Sequence, residues 1–352
     1  MKIGIPNGDL YDKLVNNYSN MPEAKDIILL REDDAKLGEM FKNKELDLAF
    51  LSPLAYSAGV SDEEYRIVPT TCVALEGYSG HFSIYFNPRA RRLATLAARS
   101  ESEYWTVAAQ VVLAERYELF PKINVEDVDN KDTDDLLSRS DMALILRTSD
   151  ANESSIDVCE QWFDTYEFPL LAGCWICRAY EHKVKDEESN EQPDTETLES
   201  PEETKYNDMM KDICERLAAP DLEAEVPVIQ EFKIGGQDHE RKGIIHYRWS
   251  ADIAAAMSET MQILFVLRFF ELVPAVKVLG DNTDYFAEMQ SHDKDEEDDD
   301  QKDHLEIEYG KRDEDDEEDE DEECECGHHH HHHHHDEHCD CNEKFEDDYE
   351  LL

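Results

Sequence analysis

KIGIP (Lys2–Pro6), DIILLR (Asp26–Arg31) and DLAFL (Asp47–Leu51) are the three short β-rich runs on which the fold turns. The stretches between them carry helical spacing, with Leu10 and Leu14 in the first and Leu37, Met40 and Phe41 in the second, after the capping candidate Asp33. The result is a βαβαβ opening. Such alternation predicts a parallel sheet with helices on both faces, and ligands of these sheets sit beyond the carboxyl ends of the strands. Asn7 and Gly8 after the first strand, and Ser52 after the third, are therefore the first candidate binding positions.

Further along, HFSIYF (His81–Phe86) reads as a strand. In SESEYWTVAAQVVLAERYEL, Trp105, Ala108, Ala109, Val112, Leu113 and Tyr117 fall on one helical face. DMALILR and PLLAGCWICR read as buried strands, and Lys183 to about Glu199 as a polar linker or surface loop. A helix then starts with Ser200 as N-cap, Pro201 at its first position and Glu203 closing a capping box, with Tyr206, Met210, Ile213 and Leu217 as its stripe. After a second acidic loop, a strand from Gly243 leads into a long apolar helix that is expected to end at Pro274. Beyond about Gly280 core-forming residues nearly vanish, and the acid run Asp293–Glu323 predicts disorder.

The chain has 352 residues and a formal net charge of −52. From Ser291 onward about 30 acidic residues face 5 basic ones, and the rest of the chain is acidic too. Such a field opposes nucleic acid and anionic membrane as partners and concentrates cations. The start lacks an apolar secretory segment, and MQILFVLRFFELVPAV is interrupted by Arg268, Glu271 and Pro274, which suits a core helix rather than a membrane span. Nine cysteines, with Cys72, Cys159, Cys174, Cys177 and Cys214 scattered through apolar contexts, suit reduced thiols, and the expected location is the cytoplasm. Cys174 and Cys177 have the CxxC spacing of redox and zinc sites. In a strand, however, residues three apart point to opposite faces, so they are expected to be structural.

WFDTYEFPLLAGCWICR, through Trp162, Thr165, Phe168, Pro169, Trp175 and Arg178, together with the order of the preceding segments, resembles the menaquinone-biosynthesis family of the futalosine pathway. The type member of that family is chorismate dehydratase, and the resemblance covers roughly residues 1 to 280. It implies an α/β, type 2 periplasmic-binding-protein fold: two lobes of mixed sheets flanked by helices, joined by crossing segments, with the ligand in the cleft. One lobe is expected from 1–85 and 178–285, with the acidic insertion at about 183–199, the other from 86–177, and a disordered tail from 286–352. The activity implied is a hydro-lyase that removes water from a cyclic dicarboxylate, with no cofactor for the body of the chain.

Asn7, Ser83, Ser102 and His81 are the candidate catalytic residues, and Ser52, Arg147 and Thr148 the candidates for binding a small-molecule carboxylate. Each has a plainer alternative: a turn at Ser52, a packed or surface histidine at His81, a helix cap at Ser100 and Ser102, a surface ion pair at Arg147. The other function class is a non-catalytic intracellular solute-binding module whose cleft is filled by Glu103, Tyr104 or other bulk.

The run CECGHHHHHHHHDEHCDC brings soft thiolates and imidazoles together. Its donors are Cys324, Cys326, His328, His329, His330, His331, His332, His333, His334, His335, His338, Cys339 and Cys341. Zn, Ni, Co or Cu ions suit these donors, for buffering or delivery rather than catalysis. A polyhistidine run also has the form of a purification tag, but tags usually sit at a terminus, and here DEHCDCNEKFEDDYELL follows.

Overall fold

The structure, a computed structural model, describes residues 1–60, 64–146, 155–180, 200–234, 236–270 and 273–280. The opening follows the order read from the sequence, although its first helix is a single turn that ends before Leu14. Strands β1 (Lys2–Pro6), β2 (Ile28–Glu32) and β3 (Leu48–Leu51) alternate with helices α1 (Asp9–Asp12), α2 (Asp34–Lys42) and α3 (Pro53–Val60). β4 (Tyr65–Gly77) leads to β5 (Ser83–Phe86), β6 (Thr95–Ala98), α4 (Tyr104–Tyr117), β7 (Lys122–Val125), α5 (Thr133–Leu137), β8 (Met142–Ile145), β9 (Ser155–Asp157) and α6 (Val158–Tyr166). The described chain then runs through β10 (Leu170–Arg178), α7 (Pro201–Leu217), β11 (Glu225–Ile234), β12 (Gln237–Arg248) and α8 (Ala251–Val266).

Two sheets result, ordered β11-β12-β4-β10-β3-β1-β2 and β7-β6-β8-β5-β9. Each repeats one plan. Three parallel strands stand with the first in the middle, followed by an antiparallel strand at a crossing between the sheets and then one more strand, to which the first sheet adds the hairpin β12 and β11. The chain leaves the first sheet after β4, builds the second, and returns as β10. This reciprocal exchange of an antiparallel strand is the mixed-sheet, two-lobed arrangement of a type 2 periplasmic-binding-protein fold.

The boundaries differ from those expected at 85/86 and 177/178. Ser83–Phe86 belongs to the second sheet, because it pairs with β8 and β9. Leu170–Arg178 belongs to the first, because its apolar run lies between β3 and β4. The helix expected to reach Pro274 ends at Val266, with Arg268 in the left-handed region at φ 64°. The second acidic loop is in large part the hairpin β11–β12, whose charged residues hide the strand signal while its backbone pairs over ten positions.

The core explains the cysteines. Strand β10 is buried on both faces, and Cys174 and Cys177 join two different hydrophobic clusters, as their spacing in a strand requires. All five described cysteines are buried and free of disulfides, and burial pushes the Cys177 thiol up to about 12. At the first passage between sheets, Gly77 sits at φ 67°, where a side chain would be strained. The second passage is tied to the first by Asp157, fully buried at the start of α6. Its carboxylate accepts from Ser79 Oγ (2.8 Å), the Gly80 amide (2.8 Å) and the Cys159 and Glu160 amides (3.0 and 3.1 Å). Among the described residues no helix is long and apolar enough to cross a membrane.

Candidate functional site

The carboxyl ends of β1, β2, β6 and β8 and the first passage between sheets enclose a small cavity of about 70 Å³. This is where the strand-end rule places a ligand. It is lined from β1 onward by Asn7, Gly8, Asp9 and Tyr11, from the start of α2 by Asp33 and Asp34, and from the passage by His81 and Phe82. The second sheet adds Arg99, Glu103, Trp105 and Leu146.

The electrostatics centre on Arg99, which follows β6. Its Nη1 donates to Asp33 Oδ1 at 3.1 Å and Glu103 Oε1 at 2.9 Å, and its Nη2 donates to Asp129 Oδ1 at 2.9 Å. Glu103 is the N-cap residue of α4 and only 7% exposed, and its side chain makes no cap hydrogen bond. Its Oε2 is buried without a hydrogen-bond partner among the described residues. Burial pushes this carboxyl up to about 7; Arg99 pulls it down, and Asp33, Asp129 and Asp34 push it further up. Asp34 is also raised by burial, against the opposing bonds from Ser52.

Aromatic rings take up most of the remaining room. Phe82 and Trp105 stack at 3.3 Å and 12°, Tyr104 lies against Trp105 at 5.4 Å, and Tyr11 meets Phe50 edge-on at 5.6 Å. A second cavity of about 570 Å³, mostly apolar, opens between α2, α3 and the start of α4, lined by Gly38, Leu54, Ala55, Val107 and Phe270. Asp34 lines both cavities. The larger one lies outside the strand ends and its exposed lining is mostly apolar, although Asp34, Glu39, Lys42, Glu101 and Ser102 border it, so the smaller is the candidate site despite its size.

Of the expected site residues, the structure brings Asn7 and His81 to the cleft. The His81 Nδ1–H donates to the Ser79 carbonyl at 2.8 Å, and its Nε2 faces Asp9 Oδ1 at 3.7 Å. Ser52 is placed differently: it is 2% exposed, with its hydroxyl donated to Asp34 Oδ2 at 2.5 Å and its amide to Asp34 Oδ1 at 2.9 Å, so an internal carboxylate occupies the donors meant for a ligand. Ser83 is buried within β5 and does not line the cleft cavity, since its strand is flanked on both sides by β8 and β9. Ser102 lines the larger cavity instead, because α4 starts only at Tyr104. Arg147 and Thr148 lie outside the described residues, as do all the metal-ligand candidates from Cys324 to Cys341.

The acids Asp9, Asp33 and Asp34 and the cation Arg99 did not stand out as site residues in the sequence. The strand-end rule, extended to the ends of β2 and β6, points to Asp33, Asp34 and Arg99.

No family model matches the chain, and no curated protein matches its sequence. Among solved structures, it is similar to protein AF1704 from Archaeoglobus fulgidus, at 15% identity over 76% of this chain and 98% of that one, with a TM-score of 0.43. It is also similar to an ABC transporter protein from Parabacteroides distasonis, at 10% identity over 80% and 99% of the two chains, TM-score 0.47. A third is the alkanesulfonate-binding protein SsuA from Xanthomonas axonopodis pv. citri bound to MOPS, at 9% identity over 79% and 96%, TM-score 0.41. None of these likenesses carries an activity over to this chain.

Proposed function

We propose that the chain is a non-catalytic solute-binding module of the two-lobed type, acting in the cytoplasm and holding a small molecule in the cleft between its sheets. The observation that carries this reading is the cleft, about 70 Å³ in volume, packed with Phe82, Trp105 and Tyr11 and lined by four carboxylates. A lyase acting on a cyclic dicarboxylate needs room for a ring, and positive charge or dipoles for two carboxylates. The Arg99 guanidinium is already engaged by Asp33, Glu103 and Asp129.

The chorismate-dehydratase reading is the second one, supported by Asn7 and His81 at the cleft. Incubation of the full chain with chorismate, followed by chromatography for a carboxyvinyloxybenzoate, separates the two. The module reading expects no product. Product that disappears on His81→Ala or Asn7→Ala would establish the lyase instead.

The donors from Cys324 to Cys341 are proposed, on the chemistry of the sequence, to bind a divalent transition metal independently of the cleft. Zinc titration of the full chain, before and after alkylation of its accessible thiols, tests this; affinity unchanged by alkylation would remove the thiolates from the site.

A further inference from the structure

The geometry points to a small organic cation, with a primary ammonium or guanidinium head, as the ligand of the cleft. This rests on the solute-binding reading and names the ligand class. Three independent features converge. The first is charge: among the described residues, Asp9, Asp33, Asp34 and Glu103 line the cavity against the single guanidinium of Arg99. Even a second guanidinium would leave carboxylates in excess. An anionic ligand entering here would meet repulsion from whichever of these carboxyls are ionised, whereas a cation is attracted by them.

The second feature is the unused acceptor. Glu103 is 7% exposed, lines the cavity, and keeps Oε2 buried without a hydrogen-bond partner among the described residues. A buried carboxylate oxygen in that state is costly unless a donor reaches it. Arg99 supplies a donor to Oε1 alone, and the ammonium or guanidinium head of a ligand would supply the other.

The third feature is the aromatic wall. Tyr11, Phe82 and Trp105 line the same cavity as the acids, and aromatic rings beside carboxylates suit the apolar part of an organic cation. The volume of about 70 Å³ is small, which suits a compact head group. A bare metal ion fits less well: among the described residues no group of three or more His, Cys, Asp or Glu side chains could hold one.

The groups facing Glu103 are Arg99, which favours its ionised form, and Asp33, Asp34 and Asp129, which oppose it. Cation binding therefore tightens as pH rises from 6 to 8 and Glu103 loses its proton.

The test is calorimetry and thermal-shift measurement on the full chain in 150 mM salt with a metal chelator. Ethylammonium, 1,4-diaminobutane and agmatine are titrated in one arm, chorismate, shikimate and malonate in the other. The expected result is saturable binding of at least one cation near one equivalent, tighter at pH 8 than at pH 6. Binding should weaken at least tenfold in Glu103→Gln, weaken in Asp33→Asn, whose changed side chain is exposed, and be unchanged in Glu101→Gln. Cation binding that Glu103→Gln and Asp33→Asn leave intact would place it on the acidic surface or tail and overturn the inference. Binding of an anion alone would overturn the cation assignment while keeping the solute-binding reading. Absence of binding in both arms would remove both.

Discussion

The hydroxyl of Ser52 donates to Asp34 Oδ2 at 2.5 Å while the Ser52 amide donates to Oδ1, so the end of β3 holds the first residue of α2 with two bonds to one carboxylate. Ser52→Ala removes one charge-assisted bond from a carboxylate that burial already raises. A loss of about 2 kcal/mol at neutral pH follows. The loss should shrink in acid, as Asp34 takes up its proton. Denaturant unfolding of parent and variant at pH 7 and pH 4 measures this, and an equal loss at both would contradict it.

Glu103 gives stability a pH dependence opposite to that of an ion-paired surface carboxylate. Its pKa in the folded chain, about 7, lies above the ordinary 4.5, so the folded state binds this proton more tightly than the unfolded one. The contribution is fully present below about pH 4.5 and is lost as pH rises through about 7, by on the order of 3 kcal/mol. Glu103→Gln should therefore melt higher than the parent at pH 8, with the gap closing toward pH 5. Melting curves of the two chains at four pH values in this range decide it; parallel profiles would count against the assignment.

Gly243 tolerates no side chain. A Cβ there would lie 2.6 Å from both the Glu76 carbonyl oxygen and the Tyr78 amide nitrogen, atoms of the backbone that cannot turn aside. Gly243→Ala should cost about 3 kcal/mol by forcing β12 away from β4. An unchanged melting temperature would show that the strands shift freely here.

Cys174 and Cys177 should resist alkylation in the native chain and react on unfolding, because both are fully buried, face opposite cores and have thiols pushed up by burial. Peptide mapping after a short iodoacetamide pulse checks this. Rapid native labelling of either would mean that β10 opens locally.

The opening βαβαβ unit was legible because its strands are short apolar runs separated by helix-spaced leucines, and β10 because PLLAGCWICR is apolar throughout. Strand β11 was not, since its partner β12 supplies the pairing while Glu225, Gln230, Glu231 and Lys233 break the apolar pattern. The site was half legible. Strand-end positions led to Asn7, but Ser52 looked open because nothing local in the sequence says that Asp34, eighteen residues away, reaches back to it. Glu103 was visible as charge or bulk for the cleft; its buried, unpaired oxygen arises only when β6, α2 and α4 come together.

Asp157 joins the two places where the chain passes between its sheets, holding Ser79 and Gly80 from one and the first turn of α6 from the other. A single buried side chain thus staples both passages together, and replacing it would free Ser79 and Gly80 from the first turn of α6 in one step.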